Sequence, residues 1–154
     1  MTTSARKKKY KDVQDKREGG QFWIVPWQII RSQAFRALTP YEKQLFFDLL
    51  SQYDNSNNGS LCAAWTLMQQ YGWKSRGSLF KALQGLLDKG WIVLARQGGM
   101  HRPNLYALTC YAIDECRGKD LEIAPTRQPT GEWKRNEPVQ PLMKTACAPT
   151  PHEC

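Results

Sequence analysis

The stretch that decides the fold is residues 63–109, which run AAWTLMQQYGWKSRGSLFKALQGLLDKGWIVLARQGGMHRPNLYALT. Its first part, residues 63–71, fits a short helix that is ended by Gly72. Ser75 can cap a second helix, and Gly90 can supply the left-handed residue that ends it. Within that second helix, apolar side chains recur at helical spacing and form one face: Leu79, Phe80, Leu83, Leu86 and Leu87.

A β-hairpin is predicted directly after these two helices. Residues 91–96 have the length and β-branched content of a strand, and residues 105–109 form a return strand. The Gly-rich residues 97–104 connect them as a loop. The stretch therefore predicts a short helix, a turn, a longer helix and a hairpin, in that order.

A third helix is predicted upstream, where Thr39-Pro40-Tyr41-Glu42 has the pattern of a capping box with proline in the first turn. Apolar residues follow at helical spacing as far as Tyr53, and residues 54–59 are typical of a turn. Further upstream, residues 22–25 are a short β-like run before Pro26, and residues 27–31 fit a short helix. The whole pattern predicts an α+β protein, a winged helix-turn-helix with three or four helices plus a β-hairpin wing.

The domain is expected to occupy residues 21–116. Residues 1–20 are polar and charged, which is typical of a basic disordered arm. Residues 117–154 hold six of the nine prolines and no hydrophobic periodicity, so a mostly extended tail is predicted there. Trp133 is the residue of this tail that is a candidate for packing back on the domain.

The net charge of +8 is concentrated in two places. The arm has seven basic and three acidic residues, and residues 56–110 have six basic residues against Asp88 alone. A polyanion is the natural partner of such a surface, although a merely soluble basic protein is an alternative interpretation.

The sequence offers no evident metal or catalytic site. The five cysteines form no CxxC pair and there are two histidines, so zinc-ligand spacing is lacking. There is also no phosphate-binding loop and no GxSxG motif. We therefore expect no metal, no cofactor and no catalytic residues. The scattered cysteines and the lack of a long apolar segment fit a cytoplasmic protein without a membrane span.

The helix over residues 76–89 is the candidate recognition helix of this layout. Opposite its apolar stripe we expect Ser78, Lys81 and Gly85, with Gly77 and Gln84 on the flanks. Small outward residues would let the backbone approach DNA closely. The N-terminal end, where backbone N–H groups favour a phosphate, carries further candidate contacts: Lys74, Ser75 and Arg76. Ordinary solvated positions are the alternative.

The hairpin loop and the arm supply further candidate contacts. Arg96, His101 and Arg102 lie where a wing would reach phosphates or a minor groove, although a plain hairpin turn is the alternative. The arm could follow a groove by charge, and a solubilising tail is an equally compatible interpretation. Its candidate residues are Arg6, Lys7, Lys8, Lys9 and Lys11.

Several motifs resemble a group of small winged-helix proteins from bacterial, plasmid and prophage genomes. They include the run from Arg31-Ser32 to Leu38-Thr39, Gly72-Trp73-x-Ser75, and Arg102-Pro103-Asn104-Leu105-Tyr106-Ala107-Leu108-Thr109 followed by Ile113-Asp114. The resemblance covers about residues 25–116. It implies a helix-turn-helix fold and, for some members, a role in replication or regulation of mobile elements.

The leading hypothesis is a sequence-specific double-stranded DNA-binding protein that acts as a transcriptional regulator. A plasmid or phage replication initiator that binds origin repeats is an alternative, because it would use the same fold. A winged-helix adaptor that binds protein is a second alternative. A homodimer is possible, with residues 22–36 or the tail as its interface.

Overall fold

Residues 22–136 are described by the computed structural model of the chain. Within this range lie five α-helices, where three or four were expected, and three β-strands. The elements are α1 (Trp27–Arg31), α2 (Gln33–Arg36), α3 (Pro40–Gln52), β1 (Leu61–Cys62), α4 (Trp65–Gln70), α5 (Arg76–Asp88), β2 (Ile92–Arg96), β3 (Leu105–Leu108) and a final 3₁₀ helix (Glu132–Asn136). The fold is α+β and is compatible with a winged-helix arrangement.

Helix α3 begins as its sequence predicts. The Thr39 backbone N–H donates to Glu42 Oε2 at 2.9 Å, and the Glu42 backbone N–H donates to Thr39 Oγ1 at 3.3 Å. This reciprocal pair completes the capping box, with Pro40 in the first turn. The apolar stripe of the helix is buried as expected: Leu45, Phe46, Leu49 and Leu50.

The three strands form one antiparallel sheet in the order β1-β3-β2. Leu94 of β2 and Leu61 of β1 both lie opposite Tyr106 of the central strand. Strand β1 is not predicted by the sequence, because two residues are too short to show alternation. It is held by the Gln52 side chain, which accepts from the backbone N–H of Cys62 at 2.8 Å and donates to its carbonyl at 2.8 Å.

The core lies between α3, α5 and the sheet, and aromatic rings fill its centre. Trp91 is fully buried, with edge-on contacts to Phe35 and Phe46 at centroid distances of 5.6 Å each. Such edge-to-face pairs add to the stabilisation from buried area.

Asn58 joins the loop after α3 to the end of β3. Its side chain is fully buried; Oδ1 accepts from the Leu108 N–H at 2.7 Å, and Nδ2 donates to the carbonyls of Leu108 and Ala112 at 2.9 and 2.8 Å. Its backbone N–H donates to Asp114 Oδ2 at 2.8 Å. The residues that predict a turn therefore also anchor that turn.

One local prediction upstream of α3 was wrong, and one helix there was not predicted. Residues 22–25 form no strand, because their backbone is not paired with the sheet. Side chains hold the segment instead: Trp23 Nε1 donates to the Tyr53 carbonyl and the Tyr111 hydroxyl donates to the Ile24 carbonyl. Helix α2 was not expected; it begins after Ser32, whose Oγ accepts from the Phe35 N–H at 3.0 Å.

The packed part of the chain extends past residue 116, where the sequence places the domain boundary. The indole ring of Trp133 stacks on Trp91 at 5.0 Å and is buried. The Glu122 N–H donates to the Ala95 carbonyl at 2.8 Å, and the Gly131 N–H donates to the Thr109 carbonyl at 2.9 Å. Residues 117–136 therefore cover the sheet, whereas the expected arm and residues 137–154 of the expected tail lie outside the described residues.

Candidate nucleic-acid interface

Helices α4 and α5 are joined by a turn that is fastened to α3. Gly72 has φ at 95°, a left-handed conformation that ends α4. The next side chain, that of Trp73, is buried. Its Nε1 donates to Asp48 Oδ2 on α3 at 2.7 Å. Burial raises the pKa of the Asp48 carboxyl, and the Trp73 hydrogen bond opposes that rise. This contact fixes the position of the turn relative to the rest of the fold.

Helix α5 begins at the cap that the sequence predicts, since Ser75 Oγ accepts from the Ser78 N–H at 3.3 Å. Its buried face consists of Leu79, Ala82 and Leu86. The opposite face is exposed to solvent and carries Gly77, Phe80, Lys81, Gln84 and Asp88. Lys81 and Gln84 therefore point away from the core.

Ser78 lies on the flank of α5 and not at the centre of its outer face. It is half-buried and, with Tyr41 and Gln44 of α3, lines a shallow concave surface at the start of α5. Lys74 and Ser75 line the same concavity. The cationic Lys74 and the N-terminus of α5 thus lie together there.

Gly85 does not face outward, contrary to the sequence prediction. A Cβ atom at this position would overlap the Glu42 carboxylate. Glu42 Oε2 also accepts from Lys89 Nζ at 2.7 Å, which joins the start of α3 to the end of α5. The glycine permits close packing of two helices and is not a point of close approach to DNA.

Phe80 is the principal residue that sequence analysis misplaced. The helical pattern assigns it to the buried face, but 62% of it is exposed. It lies at the edge of the apolar stripe, and the stripe that packs on α3 is too narrow to include it. A projection centred on Leu79, Ala82 and Leu86 would have identified it as an outer residue.

Arg76 lies at the first turn of α5 and is exposed, as expected. Its guanidinium carbon is 5.4 Å from the ring centroid of Trp65 on α4. A cation–π contact of this kind restrains the side chain without neutralising its charge.

The hairpin of β2 and β3 carries the expected wing loop. Gly99 and Arg102 exchange two backbone hydrogen bonds of 3.0 and 3.1 Å around a turn in which His101 has φ at 67°. His101 and Arg102 are exposed, as is Met100, at 88%. A Cβ atom at Gly98 would overlap the Arg102 carbonyl, so the tight crossing at the base of the loop requires glycine there.

Arg96 is not a free side chain at the base of the wing. Its Nη1 donates to the Lys119 carbonyl at 2.8 Å and its Nη2 donates to the Pro103 carbonyl at 3.2 Å. The guanidinium therefore joins the hairpin to the segment after residue 116. Arg96 is therefore not one of the free cations of this surface, because its guanidinium is held by these two carbonyl groups.

Four cations of the predicted interface remain exposed and form no ion pair within the part of the chain that the structure describes: Lys74, Arg76, Lys81 and Arg102. Lys89, by contrast, is paired with Glu42. Asp88 is the one acidic residue on α5 and lies at its C-terminal end. The positive charge of α5 is therefore concentrated at its N-terminal half.

Two further observations concern the described residues as a whole. No three His, Cys, Asp or Glu side chains lie together between residues 22 and 136 in a way that could hold a metal ion. No helix in that range has the length and apolar character needed to cross a membrane. The candidate contacts Arg6, Lys7, Lys8 and Lys9 lie outside the described residues.

Comparisons with protein-family models, curated proteins and solved structures give no match for this chain.

Proposed function

We propose that the protein is a winged helix-turn-helix protein that binds double-stranded DNA sequence-specifically, with α5 in the major groove and the β2–β3 loop on the backbone. The observation that carries this proposal is the face of α5. Exposed cations without acidic partners surround a helix whose opposite face is buried and whose preceding turn is bonded to α3 through Trp73. A packed helix with an uncompensated positive outer surface suits a groove lined by phosphates.

The distribution of charge favours one orientation of the helix. Lys74, Arg76 and Lys81 lie toward the N-terminus of α5, whereas Asp88 lies at its C-terminus. A carboxylate near phosphates is repelled, so the C-terminal end of α5 at Asp88 lies farther from the DNA than the rest of the helix. This orientation is the common one for recognition helices.

The contacts divide into two kinds. Lys74 and Arg76, at the start of α5, would contact DNA phosphates. Arg102, in the β2–β3 loop, would contact the DNA backbone. Lys81 and Gln84 are on the outer face and are the candidates for base edges. If these three phosphate-contacting cations each neutralise one phosphate, affinity falls about fortyfold between roughly 50 and 200 mM salt.

The test reverses one charge on α5 and, in a separate variant, one charge in the β2–β3 loop. Lys81→Glu and Arg102→Glu should each weaken duplex binding about tenfold or more, because an attraction becomes a repulsion. Arg127→Glu is the matched control, since Arg127 is exposed and lies outside α5 and the wing. Binding is measured by fluorescence anisotropy, and thermal unfolding checks that all three variants fold. Unchanged affinity in both reversals would show that this surface is not the DNA-binding surface.

We propose transcriptional regulation as the biological role. A replication initiator would use the same contacts, and the arrangement of its target sites distinguishes it. A single or inverted site near a promoter supports regulation, whereas tandem direct repeats at an origin support initiation.

A further inference from the structure

Phe80 is an exposed aromatic residue within the proposed DNA-binding face. It is 62% exposed and lies one turn after Gly77 and one turn before Gln84. Residues three and four apart are neighbours on a helix surface, so these three positions form a continuous strip. An apolar ring is thus placed beside an amide, with Arg76 and Lys81 on either side.

Gly77 leaves the ring of Phe80 uncovered. Side chains on a helix lean toward its N-terminus, so the ring leans toward position 77. A Cβ atom at Gly77 would meet only Ser75 Oγ, at 3.7 Å, and is otherwise in open space. At position 77, therefore, α5 offers no side chain that covers the ring, and the guanidinium of Arg76, four residues before Phe80, lies over the ring of Trp65.

The chemistry of the strip fits one kind of base pair. In the major groove, glutamine can hydrogen-bond the N6 and N7 atoms of adenine, and thymine presents its C5-methyl group to apolar side chains. Gln84 and Phe80 together offer both contacts. The flanking cations favour a nucleic acid over an apolar protein surface as the occupant.

From this geometry we propose that Phe80 packs against the C5-methyl group of a thymine, next to an adenine that Gln84 holds. This inference rests on the proposed function. It makes Phe80 a specificity-determining residue and requires an A·T pair in the part of the target that lies beneath the middle of α5.

The test removes only the methyl group from the DNA. The probe is a duplex enriched by the protein from a random-sequence pool, with each thymine replaced in turn by deoxyuridine. One replacement should weaken binding by the wild-type protein about fourfold, the factor expected for loss of one buried methyl group. Phe80→Ala should bind the unmodified duplex with a similar loss and should not respond to that replacement. Phe80→Leu, which keeps an apolar contact, should retain the response.

The double comparison isolates the contact between ring and methyl group. The inference is overturned if no thymine responds, or if Phe80→Ala responds as strongly as the wild type. Failure of the proposed function is distinguishable, because it would appear earlier as an inability of the wild-type protein to bind or enrich any duplex.

Discussion

Replacing Gly85 by alanine should destabilise the protein, although alanine is the better helix former. In an exposed helix interior the change would stabilise by about 1 kcal/mol. Here the new Cβ atom would overlap the carboxylate of Glu42, and its Cδ would lie at 2.8 Å. Glu42 is the part that must move, since the alternative is to separate α3 from α5.

Moving Glu42 breaks two interactions at once. Its Oε2 holds the Thr39 N–H at 2.9 Å and the Lys89 ammonium at 2.7 Å. Loss of the hydrogen bond from the Thr39 N–H costs about 1 kcal/mol, while the other half of the capping box, from the Glu42 N–H to Thr39 Oγ1, remains. Loss of the hydrogen-bonded ion pair costs about 1.5 kcal/mol, the low end of the range for charged partners, because the Lys89 side chain is 35% exposed. The higher helix propensity of alanine offsets about 1 kcal/mol of these losses. The free energy of unfolding should therefore fall by about 1–2 kcal/mol.

Urea unfolding of four proteins measures this effect. They are the wild type, Gly85→Ala, Glu42→Ala and the double variant. In the Glu42→Ala background the obstructing atoms are gone, so Gly85→Ala should stabilise by up to about 1 kcal/mol. The sign of the effect of Gly85→Ala should thus reverse between the two backgrounds. Stabilisation by Gly85→Ala in the wild type would refute this account of how α3 and α5 pack.

Three further predictions concern stability. Trp133→Ala removes the ring that stacks on Trp91, and the free energy of unfolding should fall by about 3 kcal/mol in a urea titration; an unchanged value would contradict the packing of residues 117–136. Asn58→Ala leaves the buried Leu108 N–H without its side-chain acceptor and should cost about 3 kcal/mol by the same measurement, whereas a loss below 1 kcal/mol would disprove its anchoring role. The pKa of Asp48 is raised in the folded state, so the folded protein binds this proton more tightly than the unfolded chain does. The stabilisation from the protonated carboxyl is therefore present at low pH and is lost as the pH rises through the folded-state pKa. Asp48→Asn should therefore gain stability relative to the wild type from pH 3 to pH 7, and a difference that stays constant would contradict the assignment.

Elements with a local chemical signal could be predicted from the sequence. Thr39 and Glu42 predict the start of α3 because the capping box requires only residues three apart. Ser75 and Gly90 similarly mark the ends of α5. Strand β1 could not be predicted in this way, because it is held by Gln52 from a different element.

The candidate site was predicted less completely, because the orientation of a helix depends on its neighbours. The pattern of α5 is compatible with several rotations, and contact with Glu42 selects the one that buries the Gly85 side and exposes Phe80. The hydrogen bonds of Arg96 could not be predicted for a related reason, since its acceptor at Lys119 belongs to a segment that the sequence places in an extended tail. Lys81 was placed correctly on the outer face. Gln84 was expected on a flank and lies on the outer face too, because it is far from the buried stripe.

The most direct test of the central claim is selection of duplexes from a random-sequence pool by the full chain at near-physiological salt. The account predicts enrichment of one motif that contains an A·T pair, with affinity that falls steeply as salt increases. Failure to bind any duplex at low salt would contradict it. Salt-dependent binding without enrichment would contradict sequence-specific recognition by α5.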